Sequence, residues 1–315
     1  MGKIAFVFPG QGAQYPGMGE SLTGYPEAKA VFELADALRP GTSVQCFYGT
    51  KEELTITEHT QPCMFAVELA AAEALKAAGV VPDAVAGFSL GEVTALTFAG
   101  AFSHQDGFSL VCRRGELMQR AAQENPGKMA AVLKLESEAV EKLCADIGGC
   151  WPVNYNCPGQ VSVAGLAASI DALIPAVKAA GGRATPLAVS GGFHSPLMDE
   201  AADALLPLIE ERAPKLPAIT TYANATGAAY GSDGETLPVL LSRQVKSPVQ
   251  WQRTIERMTA DGVDTFIEAG PGKVLSGLIS RIAPSARVFL CDTLEQVDQI
   301  AEQLKQSSFG GIPLC

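Results

Sequence analysis

Gly87-Phe88-Ser89-Leu90-Gly91 is a G-x-S-x-G pentapeptide set between Asp83 to Gly87, which reads as a strand, and Leu90 to Phe98, which reads as a helix. Glycines on both sides of a sharp strand-to-helix turn leave the serine hydroxyl exposed, as in a nucleophile elbow. The helix dipole and the N–H of Leu90 would favour negative charge developing beside Ser89. The alternative is a serine N-cap flanked by chance glycines. A serine nucleophile needs a base, usually histidine, and the chain has three: His59, His104 and His194. His59 lies in a polar stretch before a helix, and His104 in a loop that starts one. His194 sits in Ser190-Gly191-Gly192-Phe193-His194-Ser195-Pro196, after a strand that returns from an insertion. Such turns often display catalytic side chains, and the order nucleophile then base suits α/β enzymes, so His194 is the preferred base.

Two further features could serve such a nucleophile. Gly10-Gln11-Gly12-Ala13-Gln14 follows the first apolar run, but Tyr15 stands where a dinucleotide fingerprint needs its third glycine, and no Lys-Ser/Thr follows as in a phosphate-binding loop. The backbone N–H of Gln11 can instead be a second oxyanion donor, or the segment is an ordinary tight turn. Arg114 projects into the apolar side of a helix shared with Leu110, Leu117, Met118 and Ala121. A buried guanidinium needs a partner. No acid shares its stripe, which leaves an acid from elsewhere in the fold or a ligand carboxylate held bidentately.

The elements that must position these residues alternate. Ile4 to Phe8 reads as a buried strand, Phe65 to Ala78 as a helix stopping at Gly79, and Gln105 to Ala122 as another helix. From Gly127 the pattern changes: strand Lys128 to Leu135, a helix from Ser137, strands Trp151 to Asn156 and Gln160 to Ala164 around Cys157-Pro158-Gly159, a helix through Ile170 and Val177, and strand Arg183 to Val189. That order, βαββαβ, is ferredoxin-like. The expected fold is α/β: a large hydrolase-like parallel-sheet subdomain, residues 1–126 and 191–315, with an inserted ferredoxin-like subdomain, 127–190. Asp264 to Glu268 and a helix near Thr293 to Leu304 would complete the large unit, and the cleft between the two parts is the default ligand site.

Composition narrows the function. The 315 residues are 47% hydrophobic and 18% charged, which excludes a disordered chain. Lys+Arg 23 against Asp+Glu 34 gives a net charge of −11, so nucleic acid is not an expected partner. Eight cysteines without a C-x-x-C pair read as reduced thiols, so a cytoplasmic location is expected, with no membrane association and no metal centre. The first eight residues are too short for a signal peptide or a span.

Taken together, these residues resemble the malonyl-CoA:acyl carrier protein transacylase family. The likeness runs through Phe8-Pro9-Gly10-Gln11-Gly12-Ala13-Gln14, Thr60-Gln61-Pro62, Gly87 to Glu92, Arg114-Gly115 with Met118-Gln119, Phe193-His194-Ser195, Pro248-Val249-Gln250-Trp251 and Glu268 to Leu275. It implies a malonyl group passed from malonyl-CoA to the phosphopantetheine thiol of acyl carrier protein, through a malonyl-serine, for fatty acid synthesis. It makes Ser89 the nucleophile and His194 the base, oriented by the main-chain carbonyl of Gln244. The N–H groups of Gln11 and Leu90 become the oxyanion donors, Arg114 holds the malonyl carboxylate, and Phe193 resembles the malonyl-selective type. No cofactor is implied, and a monomer is expected. Lys178 and Arg183 are candidates for docking the acidic carrier protein. One departure is Phe88, where the family usually has histidine. The alternatives are a serine hydrolase or thioesterase acting on acyl-CoA, a polyketide-type acyltransferase, and a non-catalytic acyl-carrier-binding protein.

Overall fold

The computed structural model describes residues 2–189, 191–232 and 234–309; Met1, Ser190 and Cys315 lie outside them. Nine strands are described: β1 Lys3–Phe8, β2 Ala84–Gly87, β3 Lys128–Leu133, β4 Cys150–Cys157, β5 Gln160–Gly165, β6 Arg183–Pro186, β7 Thr220–Tyr222, β8 Val263–Ala269 and β9 Arg287–Cys291. The helices before the second sheet are α1 Pro26–Leu38, α2 Thr42–Tyr48, α3 Thr57–Ala77, α4 Gly91–Phe98 and α5 His104–Glu124. Those after its first strand are α6 Ser137–Ile147, α7 Ala167–Ala179, α8 Asp199–Glu211, α9 Leu237–Gln244, α10 Trp251–Ala260, α11 Val274–Ile282 and α12 Leu294–Phe309.

The parallel sheet runs β7-β2-β1-β8-β9. Its central strands are buried on both faces, as helices cover each side: β1 is apolar and buried from Ile4 to Phe8. The register pairs Phe8 with Gly87, so the loop leaving β1 and the turn leaving β2 emerge side by side at the C-terminal edge, where open α/β sheets bind ligands. The second sheet is antiparallel, ordered β4-β5-β3-β6, with α6 and α7 on one face over a core that includes Val132, Val140, Val163, Leu173 and Val177. Its element order is the ferredoxin-like one expected. β4 also meets the large sheet's side of the molecule: Tyr155 N–H donates to the Val249 carbonyl at 2.9 Å and Val249 N–H to that of Val153 at 2.8 Å.

Several expected boundaries differ, two of them beside the cleft. The helix placed at Phe65 to Ala78 begins at Thr57 and passes through Pro62, so His59 lies in its first turn. Its early residues Thr60 and Gln61 are polar yet buried, the Thr60 hydroxyl donating to the Leu54 carbonyl at 2.5 Å, which hides the apolar period. The strand expected through Val189 ends at Pro186, although Leu187 N–H still donates to the Met129 carbonyl at 2.9 Å. All seven described cysteines are free, and all but Cys112 are buried. Among the described residues no helix is long and apolar enough to cross a membrane.

Candidate active site

Ser89 sits between β2 and α4 at φ +55°, a left-handed conformation that costs about 1–3 kcal/mol in a residue other than glycine. The flanking glycines make the turn sterically feasible. A Cβ on Gly87 would lie 1.9 Å from the Gly91 backbone, and one on Gly91 would lie 2.3 Å from the Phe8 carbonyl oxygen. The strained peptide groups are then tied down by two amide side chains. Asn224 Oδ1 accepts from Ser89 N–H at 2.7 Å and its Nδ2 donates to the Gly87 carbonyl at 2.6 Å. Gln244 Nε2 donates to the Ser89 carbonyl at 2.7 Å. Phe88 keeps the main-chain bonds of the turn, its N–H donating to the Phe8 carbonyl at 2.8 Å, while its ring packs edge-on against Trp251 at 5.5 Å.

His194 comes from the chain returning out of the small sheet and is also left-handed, φ +61°. Its Nε2 accepts from the Ser89 hydroxyl at 2.8 Å, and its Nδ1–H donates to the Gln244 carbonyl at 2.9 Å, the tautomer that leaves a lone pair facing Ser89. Burial, then the nearby Arg114 charge, lowers its pKa to about 4, so the imidazole is neutral at pH 7 and able to accept a proton. The other histidines are remote from this chemistry: His59 Nδ1 meets the Glu53 carbonyl at 3.3 Å, and His104 pairs with Glu73 at 3.3 Å. The N–H groups of Gln11 and Leu90, at the adjoining ends of β1 and β2, donate to no protein acceptor among the described residues, and both residues line the same cleft.

Arg114 is 2% exposed. Gly115 lets its helix α5 approach α3 closely, since a Cβ there would lie 3.2 Å from Glu58 Cα. Of the two alternatives for its partner, an acid from elsewhere in the fold is not found among the described residues within salt-bridge distance, which leaves a ligand carboxylate. The guanidinium instead donates to Gln61 Oε1 and Gln244 Oε1, each at 2.8 Å, and to Ser89 Oγ at 3.2 Å, and its Nε has no partner. Burial lowers its pKa only to about 10, so it is charged at neutral pH.

The cleft holds about 100 Å³ and is lined by polar Gln11, Gln61, Arg114 and Asn154 and by apolar Met118, Met129, Leu187, Val189 and Phe193. Room for a short acyl group beside a charged guanidinium, a serine with its base, and two free N–H donors can support acyl transfer on a small acid. Sequence reasoning missed Asn224, the side chain of Gln244, and Glu92. The first two carry no local signal. Glu92, fully buried, accepts from Tyr230 O–H at 2.5 Å, Gln244 Nε2 at 2.9 Å and Asn224 N–H at 3.2 Å. Burial raises its pKa to about 7. Its signal was a lone acid at the head of the largely apolar stretch Val93 to Phe98.

Residues 5–301 match the acyl transferase domain family. A malonyl CoA-acyl carrier protein transacylase of Bacillus subtilis is 37% identical over 98% of this chain and 99% of its own length. That of Haemophilus influenzae is 39% identical over 96% and 100%. Among solved structures, the transacylase of the same name from Clostridium perfringens superposes with a TM-score of 0.93 at 35% identity, covering 97% of this chain and 98% of that one. A type II PKS acyl-carrier protein in complex with its malonyl-transacylase matches at a TM-score of 0.90 and 34% identity, covering 96% and 99%.

Proposed function

The chain belongs to the malonyl-CoA:acyl carrier protein transacylase family of acyl transferases, and on that premise we propose that it moves a malonyl group from malonyl-CoA to the phosphopantetheine thiol of acyl carrier protein, supplying fatty acid synthesis. The observation that carries the reading is the hydrogen-bonded chain from Ser89 through His194 to the Gln244 carbonyl, set beside a buried arginine without an acid.

In the first half-reaction Ser89 Oγ attacks the thioester carbon while its proton passes to His194 Nε2. The oxyanion faces the N–H groups of Gln11 and Leu90, each such donor being worth about 10²–10³ in rate. The C–S bond breaks and the CoA sulfur leaves with the proton from His194. In the second half, the carrier thiol gives its proton to His194 as its sulfur attacks malonyl-Ser89, and Oγ recovers that proton on leaving. Arg114 holds the malonyl carboxylate, and the Phe193 ring limits the space beside it. The sequence of steps is redox-neutral and balances without a metal or cofactor, and we take the enzyme to act as a monomer. We place the enzyme in the cytoplasm, divide it into 1–126 with 191–315 and 127–190, and assign carrier docking to the exposed Lys178 and Arg183 of the small unit.

Intact-mass analysis after mixing with malonyl-CoA tests this reading. One malonyl adduct per chain is expected, absent in Ser89→Ala and discharged by holo acyl carrier protein. An adduct retained in Ser89→Ala, or one that decays to malonate as fast without the carrier as with it, would reject the transferase assignment in favour of another nucleophile or a hydrolase.

A further inference from the structure

A buried guanidinium is ordinarily matched by a carboxylate, yet the two groups that aim Arg114 are both neutral. Gln61 is 1% exposed and Gln244 fully buried. Their amide orientations are set by what their nitrogens do: Gln61 Nε2 faces the Met118 sulfur at 3.4 Å, while Gln244 Nε2 donates to the Ser89 carbonyl and to Glu92. Each Oε1 is thereby turned to Arg114. The acid nearest in this network, Glu92, stands one amide further away, with the Gln244 side chain between it and the guanidinium. Its raised pKa keeps that site partly protonated at neutral pH, further limiting its hold on the arginine.

We infer that Gln61 and Gln244 are specificity-determining positioning residues: two amide oxygens fix the direction of the Arg114 guanidinium without cancelling its charge, leaving that charge for the carboxylate of the substrate. A carboxylate in either place would have the same shape but would form a charge-assisted pair and compete with a dicarboxylic acyl group, while a monocarboxylic one would be largely indifferent.

This inference rests on the malonyl reading and is tested by acyl preference. Single-turnover CoA release from malonyl-CoA and acetyl-CoA is compared in the parent protein, Gln61→Glu and Gln61→Met. The malonyl-to-acetyl ratio should fall on the order of 30-fold in Gln61→Glu, and clearly less in Gln61→Met, which loses the oxygen but adds no charge. Gln61→Asp, which sets a shorter carboxylate at the same place and leaves the Gln244 bonds to the Ser89 carbonyl and Glu92 intact, should shift the ratio the same way and decides the matter if Gln61→Glu does not fold. A ratio unchanged in a folded acidic variant, or lowered equally by the acidic variant and Met, overturns the inference. Failure of the parent to form a malonyl adduct overturns the functional reading instead.

Discussion

The acid limb of acylation should lie far below that of an ordinary histidine. Burial and the adjacent Arg114 lower the His194 pKa from 6.5 to about 4. At pH 5 an imidazole of pKa 4 has a free lone pair in about 90% of molecules, whereas one of pKa 6.5 has it in about 3%, a roughly 30-fold difference in active base. The assay is the second-order rate constant of the single-turnover CoA burst from malonyl-CoA by quenched flow from pH 4.5 to 8, with acyl carrier protein omitted, so that the free enzyme's base is read. The rate should hold to about pH 5 and still stand at about three quarters of its plateau at pH 4.5. Glu92 titrates near 7, but its proton alters the charge beyond Gln244 and leaves the imidazole lone pair untouched, so it produces a bounded step. A unit-slope loss centred near pH 6.5 would refute the argument that His194 is desolvated and repelled by Arg114.

The same shifts predict a linked stability effect. Between pH 6.5 and 4 the unfolded chain protonates His194 and the native protein does not, so this group's contribution falls as pH falls, by at most about 3 kcal/mol. Glu92 runs oppositely, since its folded pKa lies above its unfolded one: its contribution is greatest below 4.5 and is lost as pH rises through 7. Urea titrations of His194→Asn should therefore show stability rising relative to the parent as pH falls through 6.5 to 4, and parallel curves would count against it. Arg114→Ala should lower kcat/KM for malonyl-CoA on the order of 100-fold while sparing acetyl-CoA; equal losses would make the arginine structural. Gly91→Ala, which would set a Cβ 2.3 Å from the Phe8 carbonyl oxygen, should cost at least about 3 kcal/mol in denaturant unfolding. Gly277→Ala, in α11 with nothing within 4 Å, should instead stabilise by about 1 kcal/mol.

What the sequence revealed follows from how local each cause is. The turn at Ser89 was legible because its glycines are demanded by contacts within a few residues of chain and by the neighbouring strand end. The small sheet was legible because its strands and helices follow one another in the order in which they pack. The start of α3 was not, since Thr60 and Gln61 turn polar groups inward and erase the apolar period. Nor were the clamps on the elbow: Asn224 and Gln244 reach Ser89 across 135 and 155 residues of chain. The partner of Arg114 was anticipated as an acid or a ligand, and the amides that hold it became visible only when α3, α5 and α9 were brought together.

The unpaired cysteines have a bearing on an enzyme that handles activated thioesters. Any accessible thiolate near an acyl-serine would capture the cargo or trap a CoA disulfide. Burial pushes the thiols of Cys112, Cys144, Cys150, Cys157 and Cys291 up, that of Cys112 to about 12. These five thiols are thereby poor competitors for the acyl group, and a cysteine engineered at the cleft mouth would be more readily addressed than any of them by a crosslinking pantetheine.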